Sequence, residues 1–301
     1  FIIMNKTLDI VLKGLMARYQ ERVPDVSAII NVMLKEGAIE NAADIENDHI
    51  AFRTLGVPNL GIQSLEKIFL HYGYRRMDHY FFPSKKLDAY WYAPASPAYP
   101  RIFISELRVK DLSDKAQQII HSYTDSITVD PVDSLKLNDG HAVDQFLHSG
   151  LWKLPTLSDY LALAEESEYA AWVIYNRYYL NHFTVSVHNL EDGYNTIGEF
   201  NNFLERNNFK LNDAGGKTKI SADGMLLQSA TIAEMVPAEF ADGINHLIPG
   251  SYVEFAERKP LKEFTHLPSV ALTRRHRREG FEANNADKIF ESTYASQTGR
   301  E

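Results

Sequence analysis

Apolar positions in the first 45 residues recur at helical spacing. Leu8, Ile10, Val11, Leu15 and Met16 share one face, and Ile29, Val32 and Met33 continue the stripe. The period then shortens. Residues 49–53 read as a strand, with His49, Ala51 and Arg53 on one side and Ile50 and Phe52 on the other. A loop with Gly56, Pro58 and Gly61 leads into a helix whose Leu65, Ile68, Phe69 and Tyr72 form one stripe before Gly73 stops it. Strand candidates near 74–77, 88–92 and 101–109 complete the order β-α-β-β-β.

That order returns about 133 residues later. Residues 182–188 alternate and are rich in β-branched side chains, and 196–206 form a helix with Ile197, Phe200, Phe203 and Leu204 inward. Strand candidates follow at 209–211, 226–235 and 251–258. The pattern predicts an α+β fold in which two βαβββ units form a cupped mixed sheet around a metal site, with added N-terminal and inserted helices. The expected divisions are a helical segment over 1–45, a first unit over 46–110, a helical insertion over 111–180, a second unit over 181–260 and a C-terminal segment over 261–301. The insertion carries Trp152, Trp172, Tyr175, Tyr178 and Tyr179 and reads as a layer covering the sheet, with a role as active-site roof as the sharper alternative.

Composition narrows the chemistry. The chain has 301 residues and no cysteine, which excludes disulfides, thiolate metal sites and cysteine nucleophiles. A cytoplasmic location is the expectation that follows. Any metal is then held by nitrogen and oxygen. The net charge of −9 argues against a nucleic-acid partner, because a basic face is needed to displace counterions. The one dense basic run, Arg274-Arg275-His276-Arg277-Arg278, reads as solvated or partner-facing. No apolar stretch approaches the ~20 residues that span a bilayer. The sequence sets no oligomeric state.

Several strands place polar groups on one side only: His49 and Arg53; His182, Thr184, Ser186 and His188; Tyr252, Glu254 and Arg258. A polar inner face is costly to bury unless something satisfies it, and a metal ion does so. His49 and His182 both open the first strand of their unit, and Glu254 lies in the last strand of the second. Two imidazoles and one carboxylate suit non-haem Fe(II), with Mn, Co, Ni or Zn as alternative occupants. A lone strand-opening histidine is usually structural; the repeat is what lifts this pair above that reading. Glu106 is expected as the first-unit counterpart of Glu254, a fourth ligand or an acceptor just behind the ligands. His188 is too far along its strand for the same ion. Gln228 and Ser229 are candidate pocket hydrogen-bonders.

The segments Asp48-His49-Ile50-Ala51-Phe52-Arg53, Asn181-His182-Phe183-Thr184 and Tyr252-Val253-Glu254-Phe255-Ala256-Glu257-Arg258 resemble the 2-oxoadipate dioxygenase/decarboxylase family, of the vicinal oxygen chelate (glyoxalase-like) fold. The resemblance covers residues 45–295 or so. The final strand is also similar to the metal-binding strand of 4-hydroxyphenylpyruvate dioxygenase. Gly280-Phe281-Glu282-Ala283-Asn284-Asn285 resembles that enzyme's C-terminal helix but lacks its glycine pattern. The resemblance implies a metal triad of His49, His182 and Glu254, and a substrate carboxylate bound by Arg53. It implies a 2-oxo acid chelating Fe(II), with O2 consumed and CO2 released, as in 2-oxoadipate to 2-hydroxyglutarate. Independently, Arg53 lies two pleats, roughly 7 Å, from His49 on the same face, within reach of a carboxylate presented to the metal; the alternative is a structural salt bridge. Two other functions stay open: a redox-neutral glyoxalase-type isomerase or hydrolase with Glu106 as general base, and a non-catalytic protein that holds a small ligand. The residues that set substrate length are expected in the helical insertion and the C-terminal segment.

Overall fold

The computed structural model describes residues 2–300. The amphipathic N-terminal stretch forms α1 (Ile2–Arg22) and α2 (Pro24–Glu36). Pro24 opens α2, where its missing N–H costs nothing, and Gly37 closes it in the left-handed conformation, φ 80°, with its amide on the Leu34 and Met33 carbonyls. The first unit follows as β1 (Asn47–Leu55), α3 (Ile62–His71), β2 (Arg75–Phe82), β3 (Leu87–Ala93) and β4 (Arg101–Leu107). Four helices come next: α4 (Asp114–Thr124), α5 (Gly140–His148), α6 (Leu157–Glu166) and α7 (Glu168–Asn176).

The second unit comprises β5 (His182–Ser186), α8 (Ile197–Arg206), β6 (Lys219–Ile220), β7 (Leu226–Ala230), a hairpin of β8 (Met235–Glu239) and β9 (Asn245–Pro249), and β10 (Tyr252–Arg258). The strand expected at 209–211 is not formed: Asn208 takes a positive φ of 66°, and only Leu211 makes an isolated bridge, to Thr231. Its place is taken by the two-residue β6. The strand expected over 226–235 ends at Ala230. Beyond Thr231, the Ile232 amide bonds to Lys210 and the Ala233 amide to Ser292, which draws the chain off the sheet and into the hairpin.

The eight-stranded sheet runs β2-β3-β4-β1-β5-β10-β7-β6. β1 pairs in parallel with β4, β5 pairs in parallel with β10, and the two units join where β1 and β5 run antiparallel with Ala51 opposite His182. The first strands of the two units are therefore neighbours at the centre, which brings their opening histidines together. One face of the sheet packs on α1, α2, α3, α5 and α8 through side chains such as Ile50, Phe52, Ile104, Val185 and Phe255. The other face lies under α4, α6, α7 and the C-terminal segment, with Ala51, Trp91, Phe103, Trp172, Phe281 and Phe290 in one cluster. That segment contains α9 (Ala283–Ile289), a 3-10 turn (Phe290–Thr293) and α10 (Ala295–Thr298). Among the described residues, no helix is long and apolar enough to cross a membrane.

Candidate active site

His49, His182 and Glu254 converge on the covered face of the sheet. Nε2 of His182 lies 2.6 Å and Nε2 of His49 3.0 Å from Oε2 of Glu254, and the two Nε2 atoms are 3.4 Å apart. All three side chains are buried. The far nitrogen of each ring is engaged: His49 Nδ1 donates to Asp48 Oδ2 at 2.8 Å, and His182 Nδ1 to Asn181 Oδ1 at 2.8 Å. Those acceptors hold a proton on each Nδ1 and turn both Nε2 atoms to the carboxylate, where a proton or a cation must lie between them. A buried meeting of two ring nitrogens and a carboxylate oxygen is a donor set that suits a cation, and among the described residues this is the group that could hold a metal. Rings brace it: Phe281 stands edge-on to His49 at 4.8 Å, and Tyr252 stacks on His182 at 4.8 Å.

The electrostatics follow from burial against opposed charge. Burial works against the charged form of Glu254, yet the two histidines hold its carboxyl down at about 2. Burial also works against protonated His49, but Glu254 and then Asp48 raise it above the ordinary value, whereas burial wins at His182 and lowers it. Asp48 is itself buried, and Arg258, Arg101 and His49 overcome that burial to keep its carboxyl well below the usual range. Arg258 grips Asp48 with both ends of its fork, Nε at 2.8 Å and Nη2 at 3.1 Å, while Arg101 adds a bond at 3.2 Å. The same Arg258 donates to the Gly280 carbonyl at 2.7 Å, tying the C-terminal segment over the site.

Arg53 lies in the same cavity, 1% exposed. Its Nη1 donates to Thr293 Oγ1 at 2.9 Å and its Nη2 to the Phe290 carbonyl at 3.1 Å, while Nε has no partner. The guanidinium sits against the rings of Tyr169, Trp172 and Phe290 at 5.1 to 5.6 Å. None of these partners is a carboxylate, so the structural salt bridge is not what this residue makes. The cavity lies between the triad, Phe103, Ser105 and the C-terminal Phe281, Ala286, Ile289 and Phe290.

Two expected site residues lie elsewhere. In register, Arg101 is opposite His49 and Tyr252 is opposite His182, so the counterpart of Glu254 in β4 is Phe103. Glu106 is three residues further on and faces the opposite side of the sheet, where it accepts from the Ile62 amide at 2.9 Å and caps α3. Glu257 does the same for α8 through the Ile197 amide at 2.8 Å, so Glu106 matches Glu257 and is neither ligand nor acceptor at the triad. Ser229 also points away, donating to Asn201 on α8 at 2.7 Å. Gln228 does reach the site, donating to Glu254 Oε1 at 2.6 Å. The basic run is not a free surface: Arg274 pairs with Glu46, Arg278 with Asp223 and Glu282, and Arg277 with the Arg258 carbonyl. His188 lies past the end of β5 and accepts from the Arg258 amide. Sequence reasoning missed Asp48 and Asn181, whose signal was an oxygen-bearing residue directly before each histidine. It assigned no role to the phenylalanines of the C-terminal roof, although Phe281 lies in the segment that resembles the C-terminal helix of 4-hydroxyphenylpyruvate dioxygenase.

Fold and site together define a class: an α+β protein of paired βαβββ units with a buried two-histidine, one-carboxylate group fit to hold a metal. The family model described as 2-oxoadipate dioxygenase/decarboxylase matches residues 11–267, and the chain belongs to that family. It is 44% identical over 264 residues to the chloroplastic 2-oxoadipate dioxygenase/decarboxylase of Arabidopsis thaliana, covering 84% of this chain and 69% of that one. It is 45% identical over 263 residues to the chloroplastic/amyloplastic enzyme of Oryza sativa subsp. japonica, covering 84% and 70%. The crystal structure of the hydroxyglutarate synthase of Oryza sativa in complex with 2-oxoadipate superposes with a TM-score of 0.89 at 40% identity, covering 99% of this chain and 95% of that one. This chain is accordingly an enzyme of the dioxygenase/decarboxylase kind. The expectation of a cytoplasmic location is overturned by the two plant relatives, whose names place them in plastids. Lack of cysteine bears on redox conditions, and a reducing compartment need not be the cytosol.

Proposed function

We propose that this chain is a non-haem Fe(II)-dependent dioxygenase/decarboxylase of a 2-oxo acid, with 2-oxoadipate as the substrate to test first. One 2-oxoadipate and one O2 would give one 2-hydroxyglutarate and one CO2, which balances in every atom. The observation that carries the reading is Arg53, a buried guanidinium with no carboxylate partner in the cavity that the triad borders. An unpaired buried cation is expensive, and an anionic substrate relieves the cost. The hydroxyglutarate synthase of Oryza sativa, whose crystal structure is of a complex with 2-oxoadipate, supports the choice of acid.

His49, His182 and Glu254 would hold the metal, and the same donors accept Zn, Ni, Co or Mn. Bound there, Fe(II) would supply the redox chemistry that O2 requires and that zinc lacks. Asp48 and Asn181 keep the imidazole protons on Nδ1, so the Nε2 atoms stay available. Arg53 pairs with a substrate carboxylate through its fork. Phe281, Ala286, Ile289 and Phe290 wall the reacting centre from water. The redox-neutral alternative loses its candidate base, because Glu106 lies across the sheet.

The test is O2 uptake by metal-stripped protein reloaded anaerobically with Fe(II), against a panel of 2-oxo acids. Uptake matched by CO2 release identifies the acid. No uptake with any of them, despite tight Fe(II) binding, would sink the dioxygenase reading. Arg53→Met is expected to raise KM for the acid roughly 10- to 100-fold, since hydrogen bonds to charged groups contribute ~1.5–3 kcal/mol. Fe(II) content should not change, and thermal stability should hold or rise. An unaltered KM would remove Arg53 from substrate binding.

A further inference from the structure

The two oxygens of Glu254 serve different partners. Oε2 faces both imidazoles, at 2.6 Å and 3.0 Å, while Oε1 accepts from the Gln228 amide at 2.6 Å. Gln228 stands opposite Ala256 in the β7–β10 ladder, with Glu254 as its diagonal neighbour on the same face. Ala256 has no side chain long enough to block the reach. An amide can present either end, and Asn285 decides which. Asn285 Nδ2 donates to Gln228 Oε1 at 3.0 Å and to the Leu226 carbonyl at 3.3 Å, so the Gln228 NH2 is the end left for Glu254. Glu254, Gln228 and Asn285 are 1%, 3% and 2% exposed, so water does not compete for these bonds.

We propose that Gln228, oriented by Asn285, is a positioning residue that keeps Glu254 bound to the metal through one oxygen only. The proposal rests on the Fe(II) and 2-oxo acid reading above. Carboxylates bind metals through one oxygen or two. Three protein donors on a six-coordinate ion leave three positions. A 2-oxo acid chelating through its keto and carboxylate oxygens would take two, and O2 would need the last. A second oxygen from Glu254 would fill it. The charge-assisted bond from Gln228 holds Oε1 aside. Asn285 belongs to α9, whose Ala286 and Ile289 line the cavity. The helix that shapes the substrate space thus also sets the geometry of the carboxylate.

The experiment uses the full chain, stripped of metal and loaded anaerobically with Fe(II), as wild type and as Gln228→Leu. Fe(II) content, 2-oxoadipate binding and nitric oxide binding are each measured, the last by EPR as a stand-in for O2 that does not turn over. Gln228→Leu is expected to keep its Fe(II) and its 2-oxoadipate while its affinity for nitric oxide in the ternary state falls by at least ~10-fold, the scale of one hydrogen bond to a charged group. Asn285→Ala, which leaves Gln228 in place without its orienting donor, is expected to shift the same way by less. Wild-type nitric oxide affinity in Gln228→Leu with 2-oxoadipate bound overturns the proposal alone. Failure of the wild type to bind Fe(II), or to bind nitric oxide with 2-oxoadipate present, overturns the Fe(II) reading and the proposal with it. Should Gln228→Leu fail to fold, Asn285→Ala decides by the same criterion.

Discussion

Glu254→Gln is expected to lose its metal and its O2 uptake together while keeping its fold. Removing a partner that merely orients a ligand costs ~10–100-fold in metal affinity, so replacing the one carboxylate among the three converging donors should cost more than ~100-fold. The fold should survive, because an amide of the same shape fills the buried space and removes a charge instead of stranding one. Metal per chain after dialysis, circular dichroism and O2 uptake measure the three quantities. Full metal content in Glu254→Gln would place the ion elsewhere. A pH dependence accompanies this. In the metal-free protein, burial disfavours a proton on His49, but Glu254 and Asp48 outweigh it and raise His49 above its ordinary value. A cation must displace that proton, so affinity should fall as pH is lowered through the His49 titration. Without Glu254 the proton is held less firmly, and the pH dependence should begin lower.

The triad was legible because both of its histidines open a strand and the strand order repeats. Alternation alone put His49, Ala51 and Arg53 on one face, and the same face of β1 lines the cavity. Register was not legible. Glu106 and Glu254 lie in equivalent last strands, and only the pairing shows that Phe103 stands where Glu254 does while Glu106 matches Glu257. A shift of three residues reverses the face of a strand residue, and nothing local in a sequence fixes it. Ser229 is a different case. It is adjacent to Gln228 in a strand, so alternation already forbids both from facing one cavity, and the structure sends Ser229 to Asn201.

The roof was legible only as a region. Aromatic residues of the insertion do reach the site, with Tyr169 and Trp172 of α7 against Arg53. Phe281 and Phe290 come from a segment with little periodic pattern, and their placement depends on contacts distant in sequence. Arg258 provides one, holding the Gly280 and Arg278 carbonyls. The basic run at 274–278 misled for the same reason. A cluster of arginines predicts a solvated face, but here Glu46 and Asp223 arrive from remote parts of the chain to pair with it, and Glu282, four residues on, pairs with Arg278.

Asp48→Ala is expected to be the most destabilising single change at the site. Asp48 accepts from Arg258 through both oxygens, from Arg101 and from His49, and it is 1% exposed. Removing it leaves Arg258 and Arg101, 1% and 2% exposed, without the carboxylate between them. Breaking a buried ion pair from one side costs about 3–5 kcal/mol, a large share of the ~5–15 kcal/mol that holds a typical domain together. Backbone carbonyls and Glu279 still accept from the two arginines, which puts the expected loss within that range and not above it. A second consequence separates Asp48 from a purely structural residue. Without its acceptor, the His49 proton is no longer fixed on Nδ1, so metal affinity should fall by ~10–100-fold even where the variant is folded. Asp48→Asn should lie between, since one amide oxygen can still accept from His49 but the amide NH2 faces a guanidinium. Adding Arg258→Met to Asp48→Ala should recover part of the stability, because it removes the stranded cation, yet it should recover none of the metal affinity. Urea unfolding of the metal-free proteins and Fe(II) titration of the folded ones separate the two effects. A loss of stability below ~1 kcal/mol for Asp48→Ala would mean that water or Glu279 replaces the carboxylate, and that the arginines do not depend on it.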